Sequence, residues 1–368
     1  MKLINTPRSI DIEITNRCNL RCKYCSHFTS AGDVGGDLPK EEWLKFFEEL
    51  NRCAIMDVTI SGGEALIRED IKEIIEGIVR NRMRFSVLTN GTLVTDDISE
   101  FLASTGRCNS VQVSIDGSIP ITHEVFRGKG TFTKALSGLK SLMKYNISVT
   151  VRVTVHKYNI DDLDSVAKLL LDDIGLPSFS TNSASFMGLC RQNTDQVQLT
   201  AEERSVAMET LLRLTQKYNG RISAAAGPLA EARGWLEMEK ARREGREMSG
   251  RGCLTGCGGF FNKLAIRADG VMVPCGQMGH IELGMINKDD LKEVWQNHPE
   301  LKRLRERRAT PLSEFEFCNG CEYINYCTGN CPALSYTILG VENHPSPDAC
   351  LRQFLNEGGR LPDESLMS

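Results

Sequence analysis

Three cysteines near the N-terminus form the first group of residues whose type and spacing could do chemistry. Cys18, Cys22 and Cys25 lie within one eight-residue segment. Three thiolates at this spacing could bind three irons of a four-iron cubane, which normally takes four cysteines, so that one iron would stay open for a further ligand. A zinc site is the alternative, and His27 is then the local candidate for the fourth ligand.

A second group of cysteines occupies the C-terminal third of the chain. Eight of the 14 cysteines lie between positions 253 and 350, and four of them form the run Cys318-x2-Cys321-x5-Cys327-x3-Cys331. Eight thiolates suffice for two fully ligated four-iron clusters. A pair of zinc ribbons is the alternative, because Cys-x2-Cys alone does not distinguish zinc from iron–sulfur.

The elements that must position the first group follow an alternating pattern of strands and helices. Stretches with helical spacing, such as Ile71, Ile74, Ile75 and Ile78, separate short β-branched runs. This alternation predicts a parallel α/β sheet of six βα units, two short of a closed eightfold barrel, with the first cysteines at the carboxyl end of the first strand. The six predicted strands are 10–14, 58–60, 85–88, 111–115, 149–153 and 179–181.

The pattern changes to helices from about position 200, and later residues indicate a smaller, loop-rich α+β region. Asp269-Gly270 between two apolar runs, 264–266 and 271–273, predicts a hairpin there. A region so poor in long apolar runs is expected to depend on its metal for order. The predicted organisation is a core at 1–220, a helical linker at 221–250, a cysteine-rich domain at 251–356 and a tail at 357–368.

Composition and charge exclude several classes of protein. The net charge of −4 gives no electrostatic case for nucleic-acid binding. The N-terminus lacks the apolar stretch of a secretory signal, and no apolar run is long enough to cross a membrane. We therefore expect a cytoplasmic protein without nucleic-acid or membrane partners, in which clustered thiols serve metal binding or catalysis rather than disulfides.

The N-terminal motifs resemble those of the radical S-adenosylmethionine (SAM) superfamily. Cys18, Cys22 and Cys25, with the aromatic Tyr24, are similar to its CxxxCxφC signature, and Gly62-Gly63-Glu64 follows the second strand where that superfamily has its GGE motif. The resemblance implies a [4Fe–4S] cluster whose open iron is chelated by SAM, and an electron that cleaves SAM to a 5′-deoxyadenosyl radical. It also implies that Gly62, Gly63 and Glu64 hold the methionyl amino group; an ordinary turn is the alternative.

Three further residues follow from the same resemblance. Ser114, at the end of the fourth strand, and Arg127 are expected to bind the SAM carboxylate, a role that suits the planar fork of arginine. A surface arginine in a glycine-rich loop is the alternative for Arg127. Asn90 is a weaker candidate for the SAM site, since Asn90-Gly91 is also a good turn.

The C-terminal cysteines resemble the SPASM extension of radical SAM enzymes, in which Cys257 is followed by Gly270 and Cys275. The resemblance implies two auxiliary [4Fe–4S] clusters and therefore three such clusters in all. Cluster I would use Cys253, Cys257, Cys275 and Cys331. Cluster II would use Cys318, Cys321, Cys327 and Cys350. Cys253 is the least secure of these ligands.

The two resemblances together indicate an oxidoreductase of the PqqE-like peptide maturase type, with similarity also to SynChlorMet-cassette maturases. The implied reaction is crosslinking or side-chain oxidation of a ribosomally synthesised precursor peptide. Sulfatase-maturing relatives carry a catalytic Asp after the cysteine equivalent to Cys275, but this chain has Gly276 and Gln277, which cannot accept a proton at neutral pH. No residue of the sequence is assigned as a catalytic acid or base.

Partners and alternatives complete the predictions. Only 17 residues precede Cys18, so we expect a separate peptide-recognition protein rather than a fused domain. An electron donor such as flavodoxin or ferredoxin is also expected. The alternative within the superfamily is action on a tetrapyrrole in haem biosynthesis, and the alternative outside it is a non-catalytic, zinc-stabilised binding protein.

Overall fold

One β-sheet runs through the molecule. The computed structural model describes residues 3–28, 36–255 and 257–367, and in these residues ten strands pair in the order β10-β9-β8-β1-β2-β3-β4-β5-β6-β7. The strands are β1 Ser9–Glu13, β2 Asp57–Ser61, β3 Arg84–Thr89, β4 Cys108–Ser114, β5 Val149–Val155, β6 Phe179–Ser183, β7 Ile222–Ala224, β8 Lys263–Ile266, β9 Val271–Val273 and β10 Gly284–Met285. All six predicted strands form, as β1 to β6, and they pair in parallel and in chain order. The predicted partial (β/α)6 core is therefore confirmed.

Helices connect the strands and cover the apolar face of the sheet. They are α1 Lys40–Arg52, α2 Ile71–Arg80, α3 Asp96–Ser104, α4 Pro120–Arg127, α5 Thr131–Lys144, α6 Leu163–Lys168, α7 Gly188–Gln192, α8 Thr194–Val197, α9 Ala201–Lys217, α10 Pro228–Glu244, α11 Gly259–Asn262, α12 Leu291–Asn297, α13 Pro299–Glu306, α14 Pro332–Leu339 and α15 Leu351–Asn356. The isoleucines at helical spacing in α2 are buried in the main core, as predicted.

The strands have one apolar face and one polar face, because successive side chains of a strand point to opposite sides. Ile10 and Ile12 of β1 are fully buried in the core shared with the helices, whereas Asp11 and Glu13 point the other way. The same alternation gives β5 a polar row that includes Arg152. The polar face is therefore available to line a cavity on the side of the sheet away from the core.

The C-terminal region joins the same sheet. The predicted hairpin forms as β8 and β9, and β8 also pairs in parallel with β1. The segment predicted as a helical linker contains β7, which pairs with β6, before α10 begins. The sequence predicts neither the pairing of β8 with β1 nor the strand β7. Both depend on tertiary pairing, and a strand as short as β7, with three residues, gives little periodic signal in the sequence. The domain boundaries themselves remain predictions.

Buried arginines satisfy much of the irregular backbone near the C-terminus. Arg307 is 2% exposed and donates to four carbonyl oxygens, those of Thr255, Asn330, Glu342 and His344, at 2.8–3.2 Å. Buried carbonyl groups outside regular elements need such partners. One side chain therefore holds several loops together where few helices or strands do so.

None of the helices in the described part of the chain is both long and apolar enough to span a bilayer.

Candidate functional site

The loop that carries the first three cysteines is attached to the end of β2. The amide of Gly63 donates to the carbonyl oxygen of Thr15 and that of Glu64 to Arg17, both at 2.9 Å. A Cβ on Gly62 would lie 2.4 Å from the Thr15 oxygen, and one on Gly63 would lie 2.3 Å from the Arg17 oxygen. The two glycines are therefore required by the close approach of the cysteine loop, whatever they do for a ligand.

Cys18, Cys22 and Cys25 line one cavity of about 310 Å³ on the polar side of the sheet. The three thiols are electrostatic neighbours, and burial raises the pKa of Cys22 to about 12 and also raises that of Cys18. Cys18 and Cys22 are consequently protonated when free, and iron binding must displace their protons. Three sulfur donors facing one cavity fit a cluster with one open iron.

Glu64 lies at the wall of this cavity with its carboxylate already oriented by the protein. It is 1% exposed and accepts hydrogen bonds from Thr89 Oγ1 and the Asn90 amide at 2.7 Å and from the Leu66 amide at 3.2 Å. Burial raises the pKa of Glu64, while these three donors oppose the rise. The Asn90 side chain also lies at the wall and donates to Asn19 Oδ1 in the cysteine loop at 3.0 Å.

Arg127 and Ser114 both reach the cavity, but the guanidinium already has a protein partner. Arg127 makes two hydrogen bonds to Asp116, a fully buried residue that also accepts from the Tyr24 hydroxyl and from the Thr154 amide. Burial opposes ionisation of Asp116, yet Arg127 holds the pKa of this carboxyl below its usual range. Tyr24 thus contacts Asp116 through its hydroxyl, and Arg127 passes 5.4 Å from its ring.

Sequence reasoning missed Asp116 and the polar row of β5 and β6. Arg152 and Thr154 of β5 and Asn182 of β6 line the same cavity, and the buried Arg152 Nε and Asn182 Oδ1 have no hydrogen-bond partner among the described residues. The available signal was the spacing of polar residues two apart within otherwise apolar strands. Asp116 lies two residues after the end of β4, at the sheet edge where α/β proteins place functional residues, and this position was the available signal for it.

The C-terminal cysteines fall into two groups. Cys257, Cys275 and Cys331 are electrostatic neighbours of one another. A separate neighbourhood joins Cys318, Cys321, Cys327 and Cys350. Burial raises the pKa of Cys275 to about 12 and that of Cys318 to about 11. These groups match the predicted sets except for Cys253.

Cys253 lies in a segment that runs beside residues 327–328. The Gly252 amide donates to Cys327 and the Thr255 amide to Thr328, and Cys253 itself forms a β-bridge with Pro311. Its assignment as a ligand stays a prediction. In the part of the chain that the structure describes, no three His, Cys, Asp or Glu side chains converge on a single metal ion. Cubane ligands bind different irons and so need not converge on one point.

A second cavity, of about 430 Å³, adjoins the first and reaches the C-terminal cysteines. Its walls include Cys257, Cys327 and Cys331. It shares four wall residues with the first cavity, namely Ser183, Ala184, Ser185 and Gln277. The bridging wall is held by a 2.8 Å hydrogen bond from Gln277 Nε2 to Ser185 Oγ.

Comparisons with known families agree with this geometry. Residues 12–170 match the radical SAM superfamily, and residues 257–322 match SPASM, an iron–sulfur cluster-binding domain. The chain is thus an enzyme of the radical SAM superfamily with a C-terminal SPASM domain. Membership implies a [4Fe–4S] cluster and SAM, with further iron–sulfur binding in the SPASM domain.

The proteins that are similar to this chain differ in the activities that their names give. An "AdoMet-dependent heme synthase" of Methanosarcina barkeri is 27% identical over 93% of this chain and 97% of its own length. A "PqqA peptide cyclase" of Granulibacter bethesdensis is 22% identical over 95% of this chain and 89% of its own. The Streptococcus suis protein SuiB, solved with S-adenosylmethionine and with its precursor peptide SuiA, shares the fold. The SAM-bound form has a TM-score of 0.71 at 15% identity, over 95% of this chain and 78% of SuiB.

Proposed function

We propose that this enzyme cleaves SAM and uses the resulting radical to crosslink or oxidise a side chain of a ribosomally synthesised peptide. The observation that carries this proposal is the pair of adjoining cavities, which runs from the N-terminal cysteines to the C-terminal ones. An extended substrate lying along both cavities would present one residue to the radical and remain close to the auxiliary clusters.

The first cavity supplies the binding groups for the cluster and SAM. Cys18, Cys22 and Cys25 would each ligate one iron. Glu64, held by three donors, would accept the methionyl amino group, while Ser114 and the free edge of the Arg127 guanidinium would bind the carboxylate. When bound, the cluster and SAM supply a 5′-deoxyadenosyl radical that abstracts a substrate hydrogen. Asp116 would act as a positioning residue, because it orients Arg127.

The C-terminal groups would hold two further [4Fe–4S] clusters. The first would use Cys257, Cys275 and Cys331, with Cys253 as its fourth ligand. The second would use Cys318, Cys321, Cys327 and Cys350, which form one neighbourhood. The likeness to SPASM domains and the grouping of the thiols into two neighbourhoods support metal binding at both groups, and the chain would carry three clusters in all.

The charges of the second cavity favour a peptide over a tetrapyrrole. Tetrapyrroles of haem biosynthesis carry several carboxylates, which need cations in a binding site. Among the described wall residues of the second cavity, the charged side chains are two carboxylates, Glu231 and Asp348, and one arginine, Arg251. The tetrapyrrole reaction remains the second candidate, because the similarity to the haem synthase extends over nearly the whole chain.

The deciding experiment combines metal analysis with two substrate assays. After anaerobic reconstitution, about twelve irons per chain are expected from three cubanes, with 5′-deoxyadenosine formed from SAM under a strong reductant. A precursor peptide encoded beside the gene should then change mass in a manner dependent on SAM. Turnover of a haem-precursor tetrapyrrole instead would reject the peptide proposal, and zinc without SAM cleavage would reject both.

The proposal includes two protein partners and a cellular location. The single electron for SAM cleavage would come from flavodoxin or ferredoxin. A separate recognition protein would present the precursor peptide, and the reaction would take place in the cytoplasm. Full-affinity capture of the precursor peptide by this chain alone would contradict the separate recognition protein.

A further inference from the structure

Glu13 is an acidic residue of the polar sheet face that the proposed function does not use. It is the last residue of β1, and its side chain keeps 24% exposure. It lines a cavity of about 600 Å³ together with His27, Gly276 and Gln277. That cavity shares Gln277, as well as Ser26 and Gly62, with the cavity of the N-terminal cysteines. Glu13 therefore lies in space adjoining the radical site.

The carboxylate of Glu13 lies directly beside the position that a side chain at residue 276 would take. A Cβ built on Gly276 would lie 3.2 Å from Glu13 Oε1. Gly276 directly follows Cys275, one of the C-terminal cysteines. An acid from the first strand thus lies at the junction between the radical site and the SPASM domain.

Charged groups from three elements surround this carboxyl. His27 of the cysteine loop approaches it, with Nδ1 3.8 Å from Oε2, and Asp11 precedes it on β1. Arg267 and Asp269 face it from the β8–β9 hairpin. Burial raises the pKa of Glu13 to about 7; Arg267 opposes this rise, while Asp269 and Asp11 add to it. A carboxyl that gains and loses a proton near neutral pH is suited to general base catalysis.

We propose that Glu13 is the proton acceptor for the peptide substrate. The Glu13 carboxylate takes the proton from a hydroxyl or thiol of the peptide, leaving the electron pair of the O–H or S–H bond on the oxygen or sulfur, and Glu13 becomes a neutral acid. The inference rests on the proposed function, because it assumes a peptide in the adjoining cavities. It concerns proton transfer alone and requires no additional oxidant.

The first test compares product with 5′-deoxyadenosine in the reconstituted holoenzyme and its precursor peptide. Glu13→Gln should keep wild-type iron content and SAM cleavage but lower product per 5′-deoxyadenosine by about 100-fold. Asp11→Asn, which changes a carboxylate two residues earlier on the same strand face, should keep the wild-type ratio. Adding Gly276→Asp to Glu13→Gln should restore part of the product, since it returns a carboxylate to the same space. Wild-type product from Glu13→Gln would overturn the proposal.

The second test needs no substrate and keeps the inference separate from the proposed function. Infrared spectra of the holoenzyme with 13C-labelled glutamate should show a carboxyl that titrates near pH 7 and disappears in Glu13→Gln. If that carboxyl is already fully ionised at pH 5, the proposal fails even for an active enzyme. If wild-type enzyme makes no peptide product while this carboxyl titrates near pH 7, the peptide assignment fails, and the role of Glu13 toward a peptide fails with it although its titration is as expected.

Discussion

The two cysteine-rich regions hold their thiols by different means. The N-terminal loop is fixed by a regular sheet, since the amides of Gly63 and Glu64 bind its backbone and Asp37 accepts from Thr15 and Asn16 at 2.6 and 2.7 Å. The C-terminal cysteines lie on irregular backbone between short helices. From this comparison we expect the first site to be largely formed before its cluster binds and the second to depend on its clusters for order.

The hydrogen bonds that hold the backbone also differ between the two regions. In the C-terminal region, Arg307 provides four of the hydrogen bonds that a strand would otherwise provide. Burial lowers the pKa of Arg307 to about 10, opposed by the nearby Cys257 and Cys331, so its guanidinium stays charged at neutral pH. Removing the Arg307 side chain alone should therefore disturb the order of the C-terminal region.

The largest expected effect comes from Cys22→Ala. Loss of this buried thiolate should remove the SAM-binding cluster, so that 5′-deoxyadenosine formation falls to background while about eight irons remain in the other two clusters. Iron analysis and 5′-deoxyadenosine assays check this outcome. Cys108→Ala, at a thiol outside the three groups, is the matched control and should keep all irons. Residual SAM cleavage above background in Cys22→Ala would contradict the ligand assignment.

Cys327→Ala should have the reverse profile. It removes one ligand of the second C-terminal group, so SAM cleavage to 5′-deoxyadenosine should continue while peptide product is lost. The measurement is the ratio of product to 5′-deoxyadenosine in the reconstituted variant. Intact turnover would show that this cluster has no part in the reaction.

Arg307→Met should destabilise the C-terminal region by about 3 kcal/mol, because it leaves several buried carbonyl groups without a partner. The expected signature is faster loss of iron to a chelator from the SPASM clusters, with SAM cleavage preserved. The neighbouring Arg308 is exposed, so Arg308→Met is the control and should behave as wild type. Equal iron loss in both variants would break the distinction between the two regions.

Much of the first region could be predicted because its signals are local. The β-branched runs predict β1 to β6, and the predicted cysteine loop begins where β1 ends. Short strands were missed, since β7 and β10 contain only three and two residues and depend on pairing with neighbours. The pairing of β8 with β1 was missed for a different reason, because the two strands are about 250 residues apart in sequence and no local pattern links them.

Individual residues of the site could be predicted from the sequence, but the contacts between them could not. Arg127 was expected beside the SAM carboxylate, whereas its ion pair with Asp116 depends on how α4 packs against the end of β4. Similarly, the resemblance to sulfatase-maturing proteins directs attention to a carboxylate at position 276, where this chain has glycine. Glu13 places a carboxylate beside that position from a strand more than 260 positions earlier, a relation that no local pattern carries.

The smallest expected effect tests the junction of the two regions through the pH dependence of stability. Because burial raises the pKa of Glu13 from 4.5 to about 7, the folded state binds this proton more tightly than the unfolded state does. The resulting stabilisation is fully present below pH 4.5 and is lost as the pH rises through 7. A shift of this size corresponds to at most about 3 kcal/mol, and partial exposure of the side chain reduces it to about 2 kcal/mol.

Glu13→Gln removes this titration, so the stability of the variant relative to wild type should increase as the pH rises from 5 to 8. The expected gain in apparent melting temperature of the holoenzyme is a few degrees at pH 8 and close to none at pH 5. Glu48→Gln, at an exposed position of α1, is the control and should show no such trend. A constant difference between Glu13→Gln and wild type across this range would mean that Glu13 is equally ionised in the folded and unfolded states. The junction between β1 and the loop after Cys275 would then be open to water rather than enclosed by the two regions.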